Sequence, residues 1–123
     1  GRFMVSNFAQ SSYAPWASIS KRIIKDEQMH EAFGYNTLRD LVQAADADGR
    51  RVLAQKASRW YALGLNFFGP PHSSKTERLR ELGLKREDNE QLRQRYRAEV
   101  EQLMAEMGAS DLLHLEHDGF PYA

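Results

Sequence analysis

The chain has 123 residues, enough for about one domain with its own core. Its 17 lysines and arginines balance 17 aspartates and glutamates, so no net charge attracts it to nucleic acid or to an anionic membrane. It has no cysteine, which excludes disulfides, thiolate metal sites and cysteine nucleophiles. No apolar run approaches the ~20 residues that span a bilayer. We expect a cytoplasmic protein with neither a nucleic-acid nor a membrane partner.

The first long helix is predicted from about Pro15 to Ala44, in a sequence in which helical periodicity dominates. Ser11 and Ser12 supply a helix-start signal, with Pro15 in the first turn. Residues recurring every three or four positions predict one buried stripe. Its members are Trp16, Ile19, Ile23, Glu27, His30, Gly34, Leu38 and Leu41. Because no run of alternating β-branched residues indicates a sheet, the predicted fold class is all-α.

A second helix is predicted from Arg50 or Arg51 to the Gly69-Pro70-Pro71 stop. Its predicted inner face consists of Leu53, Ala57, Trp60, Gly64 and Phe67. Up to this stop, residues 1–69 are expected to form one unit.

Beyond Pro71 the sequence becomes highly charged, which predicts a separate helical extension over residues 70–123. A capping box at Ser74 and Glu77 opens a short helix. The last long helix is predicted from about Asp88 to Met107, with Gly108 as its stop. One narrow apolar seam runs along it, made of Leu92, Tyr96, Val100, Leu103 and Met107. Residues 109–123 have no sustained period and are expected to form a tail.

Glu27 and His30 lie three residues apart on the stripe that the first long helix is predicted to bury. Burying a carboxylate and an imidazole without partners costs several kcal/mol, so such a pair is usually neutralised. Residues at this spacing project from one helix face and can give one metal ion an oxygen and a nitrogen ligand. In ferritin-like bundles, two such pairs and two further glutamates hold two metal ions. A solvated pair or a local hydrogen bond is the alternative.

Other candidate groups have simpler interpretations. Lys21, Arg22 and Lys25 form a basic cluster beside Glu27 that could attract a phosphorylated or coenzyme A substrate, or be an ordinary charged helix face. A second set of metal-ligand residue types falls in the expected tail, where we interpret its members as solvated. These are Asp111, His114, Glu116, His117 and Asp118. His72 follows two prolines and is expected to face solvent.

Three motifs, in order and spacing, resemble the phenylacetyl-CoA epoxidase family, specifically its catalytic subunit of the phenylacetic acid catabolic protein A type. The motifs are Ser11-Ser12-Tyr13-Ala14-Pro15-Trp16-Ala17, then Arg22-Ile23-Ile24-Lys25-Asp26-Glu27-Gln28-Met29-His30 with Gly34, and then Phe68-Gly69-Pro70-Pro71. The charged helix that includes Asn89-Glu90-Gln91-Leu92-Arg93-Gln94-Arg95-Tyr96 is also similar to the C-terminal region of that family. The resemblance covers about residues 5 to 108.

The resemblance implies a ferritin-like four-helix bundle that binds two irons, activates dioxygen and epoxidises the aromatic ring of a coenzyme A thioester in phenylacetate catabolism. Glu27 and His30 would then be ligands of one iron, with Glu31 as a partner in the surrounding shell. Lys21, Arg22 and Lys25 would be candidates for contacts with the coenzyme A phosphates. The implied partners are a structural subunit of similar fold and a flavin and iron–sulfur reductase.

The chain departs from the family pattern in its ligand set. Only one Glu-x-x-His pair is present, and no acidic residue precedes Asp26. We therefore expect the C-terminal half of a catalytic subunit, an incomplete bundle that binds little or no iron by itself and is inactive in isolation. Its bare apolar stripe predicts oligomerisation. The alternative is a non-catalytic helical scaffold or interaction module of the same type of complex.

Overall fold

A computed structural model of the protein describes residues 1–115 and 117–123. Its elements are α1 (Arg2–Phe8), α2 (Ala14–Ala44), α3 (Ala47–Asn66), α4 (Ser74–Glu81), α5 (Asn89–Glu106) and a single 3-10 turn (Ser110–Leu112). No strand occurs in these two described ranges, so the all-α prediction is confirmed, and the arrangement is consistent with a ferritin-like helical bundle. Among the same residues, every helix is too short or too polar to cross a membrane.

The helices begin where side chains satisfy their first backbone amides. Asp46 accepts a hydrogen bond from the Gly49 amide at 2.8 Å, which starts α3 before the predicted Arg50. Ser73, rather than Ser74, caps α4 by accepting from the Thr76 amide. Asp88 and Gln91 form a reciprocal capping box at the start of α5, and this start agrees with the predicted one.

The start of α2 differs from the predicted serine cap. Tyr13 occupies the N-cap position without a side-chain hydrogen bond, although proline does lie in the first turn. The Ser12 hydroxyl instead donates to the Leu82 carbonyl at 2.8 Å, and the Ser12 amide donates to the Gly83 carbonyl. Ser12 therefore ties the α1–α2 connection to the end of α4.

One apolar core lies where α2, α3 and α5 meet the end of the chain. Its buried members are Val42, Met104, Ala109 and Leu112. Ser58 of α3 holds this end in place, because its hydroxyl donates to the Leu112 carbonyl and accepts from the His114 amide. Farther along, the Tyr122 amide donates to the Asn66 side chain. The segment expected to be a tail therefore packs against α3.

A second apolar core joins α1, the end of α3 and α5. Phe3, Phe68 and Leu92 are buried there, with Met4 and Tyr96 packed against them. Phe3 meets both Phe68 and Tyr96 edge to face, the favoured arrangement of aromatic rings. Gly64 of α3 allows Tyr96 to approach closely, because a Cβ atom at this position would overlap the Tyr96 hydroxyl.

The buried faces of α2 and α3 are rotated from those predicted. Predicted members of the α2 stripe are exposed, namely Trp16, Ile19, Ile23, His30, Gly34 and Leu41, whereas Ser20 and Val42 are buried. Trp60 on α3 and Phe67 directly after it are exposed, and the buried residues of α3 are Ser58, Tyr61, Ala62 and Leu65. A helix face is buried only where another element covers it, and α1 packs on the neighbouring face of α2.

Candidate metal site

Glu27 and His30 share one turn of α2, and their side chains approach each other. The His30 Nδ1 atom lies 4.0 Å from Glu27 Oε1. The two side chains differ in exposure: 23% for Glu27 and 72% for His30. The prediction that His30 is buried is therefore wrong for this chain, because the elements that the structure describes leave its side of α2 uncovered. Glu27 lies at the boundary between the covered and the open face.

The pair fits part of a metal site. Metal–nitrogen and metal–oxygen bonds of about 2.1 Å place two ligands of one ion about 3 to 4 Å apart. The 4.0 Å separation of Nδ1 and Oε1 is within this range, so small side-chain rotations let both atoms contact one ion. In the described ranges 1–115 and 117–123, however, no group of three or more histidine, cysteine, aspartate or glutamate side chains could hold a metal. By itself the pair therefore offers two candidate ligand atoms and no third.

The carboxylate of Glu27 points towards the start of α1. The Gly1 nitrogen lies 3.7 Å from Glu27 Oε2, and a Cβ atom on Gly1 would overlap the carboxylate. Helix α1 runs back along the first half of α2, since Phe8 packs against Trp16 at a ring-centroid distance of 4.6 Å. The covered side of Glu27 is therefore formed by α1, and its other side faces His30.

Glu31, one turn after Glu27, is bound by an arginine from α1. Arg2 Nε donates to both Glu31 oxygens, at 2.9 and 2.7 Å, and Arg2 Nη2 donates to Glu99 of α5. Partial burial acts to lower the pKa of Arg2, but the hydrogen bonds and charges of Glu99 and Glu31 outweigh it and raise this pKa. Arg2 is thus a fixed cation shared by two carboxylates. No sequence motif indicated it, because its partners are 29 and 97 residues away.

A groove of about 540 Å³ opens between α2 and α5 beside this arginine. Its wall is mostly apolar and includes Tyr35, Leu38, Tyr96, Val100, Leu103 and Met104, with Gln28, Glu31 and Glu99 at polar positions. The stripe predicted for α2 shares only Gly34 and Leu38 with this face. A second apolar stripe at Ile24, Tyr35, Leu38 and Val42 was the available signal for it.

The basic cluster is accessible. Lys21, Arg22 and Lys25 are all exposed on α2, in the turns before Glu27. None of them takes part in the ion pairs found among the residues that the structure describes. The structure therefore leaves them available to an anion.

The described residues near the end of the chain, 109–115 and 117–123, do not form a second metal site. Arg50 binds both oxygens of Asp111, at 3.0 and 2.6 Å, and this hydrogen bonding lowers the pKa of Asp111. His114, His117 and Asp118 are exposed, and Glu116 lies outside the described residues. His72 is exposed in its turn, as predicted.

Comparisons with known proteins agree with the sequence resemblance. Residues 2–111 match the sequence profile of the family described as phenylacetic acid catabolic protein. The chain is 30% identical over 89 residues to the A subunit of 1,2-phenylacetyl-CoA epoxidase from Escherichia coli strain K12. This alignment covers 71% of the chain and 28% of the relative, so the chain spans less than a third of that protein. No solved structure matches the chain. Because the profile covers most of its length, the chain belongs to the phenylacetic acid catabolic protein family.

Proposed function

We propose that this chain is part of the oxygen-activating di-iron subunit of a multicomponent monooxygenase that epoxidises the aromatic ring of phenylacetyl-CoA or a related aryl-CoA. The family supports a role in phenylacetate catabolism. The observation that carries the di-iron proposal is the Glu27–His30 pair, whose ligand atoms lie 4.0 Å apart on one helix turn. Among protein sites, carboxylate and imidazole ligands with open positions are typical of iron that reacts with dioxygen.

In this proposal each residue has a defined task. Glu27 offers a carboxylate that can neutralise metal charge, and His30 offers a neutral imidazole nitrogen. Iron, when bound, supplies the activation of dioxygen. A di-iron bundle has about six protein ligands, and the pair gives two of them. We propose that the others lie outside the residues of this sequence. The isolated chain is then expected to bind little or no iron and to be inactive.

The surroundings of the pair are proposed to receive the substrate. Lys21, Arg22 and Lys25 are exposed cations suited to the phosphates of coenzyme A. The apolar groove between α2 and α5 would contribute to a wall that limits water near the reacting centre. Electrons would come from a flavin and iron–sulfur reductase, and a structural subunit of similar fold would be a second partner in the cytoplasm.

A scaffold role is the second candidate. Its support is that the pair stands without a third ligand among the described residues and that large apolar side chains are exposed beside it. Ile19, Ile23, Phe33 and Leu41 of α2 are examples. A helix with this surface can serve assembly alone, with His30 as an ordinary exposed residue.

Metal analysis of the longest polypeptide that carries this sequence distinguishes the two functions. The enzyme proposal expects about two irons per polypeptide, with loss of iron in Glu27→Ala and His30→Ala. The matched controls are Asp26→Ala, an exposed acid on the same turn, and His72→Ala, an exposed histidine in a distant turn. Both controls should keep the iron and its Mössbauer spectrum.

Two results would reject the enzyme proposal. A correctly folded polypeptide without iron would favour the scaffold role. Iron that is retained in both Glu27→Ala and His30→Ala would show that these residues are not the ligands. Circular dichroism of every variant checks that a loss of iron is not a loss of fold.

A further inference from the structure

Arg2 connects three helices at the turn of α2 that carries the candidate ligands. It lies on α1, binds both oxygens of Glu31 on α2 and reaches Glu99 on α5. Glu31 follows His30 directly and is four residues after Glu27, so all three side chains belong to the same stretch of helix. Two potential carboxylate ligands therefore occupy successive turns, and only one of them is bound by arginine.

We propose that Arg2 is a positioning residue that holds Glu31 away from a metal bound by Glu27 and His30. This inference rests on the proposed function. It adds an explanation of why Glu27, and not Glu31, is the carboxylate ligand of this helix. Arg2 Nε lies 2.9 and 2.7 Å from the two Glu31 oxygens, so both oxygens already have a charged donor.

The physical basis is competition between two cations for one carboxylate. A glutamate on a neighbouring helical turn is about 5–6 Å away at Cβ, within reach of the same ion through its flexible side chain. An unpaired Glu31 would be drawn to the metal and would fill a position that oxygen chemistry needs open. Charge-assisted hydrogen bonds from Arg2 oppose this movement, since they are about twice as strong as neutral ones.

The position of Arg2 makes this restraint firm. Only 21% of the Arg2 side chain is exposed, against 45% for Glu31, so water has less access to the guanidinium than to the carboxylate. A second carboxylate, that of Glu99 of α5, accepts a hydrogen bond from Arg2 Nη2. The arginine also lies over the Phe3 ring, with its central carbon 4.7 Å from the ring centroid. The guanidinium that binds Glu31 is therefore itself positioned by Glu99 and by the Phe3 ring.

Arg95 provides a matched control. Its guanidinium also lies over the Phe3 ring, at 5.6 Å from the centroid, but its ion pair is with Glu87. Arg95→Gln removes a comparable cation from the same ring and leaves the Arg2–Glu31 contact in place. A difference between the Arg2 and Arg95 variants thus reports the release of Glu31 and not the loss of an arginine beside Phe3.

The test uses the longest polypeptide that carries this sequence, loaded with cobalt(II), whose visible absorption reports the number of ligands. Arg2→Gln should shift this spectrum because the released Glu31 joins the metal. The double variant Arg2→Gln/Glu31→Gln should restore the wild-type spectrum. Glu31→Gln alone and Arg95→Gln should both match wild type. A residue that only stabilised the fold would not produce this pattern of shift and rescue.

Three results would overturn the inference. The first is an unchanged spectrum in a folded Arg2→Gln variant. The second is a shifted spectrum or lost metal in Glu31→Gln, because Glu31 would then be a ligand already. The third is a failure of the double variant to restore the wild-type spectrum. If Arg2→Gln does not fold, Glu31→Gln still decides: a wild-type spectrum supports the inference and a change rejects it.

These outcomes are separable from failure of the proposed function. If the polypeptide binds no metal, or keeps it in Glu27→Ala and His30→Ala, the proposed function fails. If those two variants lose metal while Arg2→Gln leaves the spectrum unchanged, only the inference about Arg2 fails.

Discussion

The C-terminal end and the middle of α2 have different surroundings. Near its C-terminal end, Val42 is buried with Met104 and Leu112, and the chain beyond α5 is fastened to α3 by Ser58. Near its middle, His30 is 72% exposed, and Phe33 is also exposed. The first region obtains its partners from distant parts of this chain. The second carries apolar residues and a candidate metal ligand, and no element that the structure describes packs against them.

This difference shows that apolar character and burial are separate properties of α2. A helix that is apolar on two neighbouring faces is suited to the interior of a larger bundle. Within this chain, α1 and α5 cover only one of these faces. The remaining face carries His30, so the candidate site lies where further packing is most needed. Substitutions at covered and at open positions test this contrast.

The largest expected effect comes from the covered region. Leu112→Ala removes a side chain that is 1% exposed and should lower the free energy of unfolding by about 2–5 kcal/mol. The same change at Leu41, which is 50% exposed, should cost much less because little packing is lost. Urea denaturation at low protein concentration measures both. Equal losses would mean that Leu41 is buried in solution, for example by self-association.

The next effect concerns the hydrogen bonds that attach the end of the chain to α3. Ser58→Ala leaves the Leu112 carbonyl and the His114 amide without their partner in a buried position. An unsatisfied buried polar group costs about 1–3 kcal/mol, so the variant should be less stable by about this amount. Hydrogen exchange at the His114 amide should also become faster. Ser18→Ala, an exposed serine on α2, is the control, and an equal effect there would contradict the contrast.

Alanine substitutions at two glycines should have smaller effects on stability, and the two effects should differ in sign. Gly64→Ala places a methyl group against the Tyr96 hydroxyl, and overpacking typically costs about 1–3 kcal/mol. The better helix propensity of alanine offsets part of this cost, by about 1 kcal/mol. At Gly34, in contrast, no atom lies within 4 Å of an added Cβ, so Gly34→Ala should be stabilising. Thermal unfolding measures both shifts.

A rescue experiment sharpens the glycine comparison. Tyr96→Phe removes the hydroxyl, which is the nearest atom to the new methyl group, but keeps the ring carbon at 2.7 Å, so it should recover part of the loss in Gly64→Ala. The same tyrosine change should not alter the effect of Gly34→Ala. A destabilising Gly34→Ala would show that the open face of α2 is packed in solution.

Sequence reasoning found the helices more accurately than their inner faces. The predicted ends of α2 and α5 were close to the observed ends, because Pro15, the Asp88–Gln91 capping box and Gly108 act locally. The inner faces were rotated because the most apolar stripes, which include Trp16 and Trp60, are the ones left open here. Periodicity reports that a face is apolar but does not report which element covers it.

The candidate site was predictable to the same limited extent. Glu27 and His30 share a turn because their spacing is local, and the structure places their ligand atoms 4.0 Å apart. Arg2 was not predictable, because its contacts with Glu31 and Glu99 depend on how α1, α2 and α5 pack. The packing of residues 109–123 was missed for the same reason, since Ser58 and Asn66 give no local sign of their distant partners.

The smallest predicted effect is a pH dependence that arises at Lys85. Burial lowers the pKa of Lys85, whose ammonium group lies 3.4 Å from Asn89 Oδ1 and 5.9 Å from the centroid of the Phe8 ring. Between this lowered pKa and the ordinary value of 10.5, the unfolded chain binds more protons than the folded chain. The free energy of unfolding should therefore rise with pH across this interval, and this contribution is lost as pH falls through the lowered pKa.

Lys85→Met should remove this contribution, whereas Lys56→Met, an exposed control on α3, should keep it. Burial also raises the pKa of Tyr61 and Tyr96, which lowers stability as pH rises above about 10. Both tyrosines are present in all three proteins, so the difference between wild type and Lys85→Met isolates the lysine. Urea denaturation from pH 7 to 10 measures that difference. A wild-type slope in Lys85→Met would mean that Lys85 is solvated, and that the region around Phe8 and Asn89 is more open than the structure indicates.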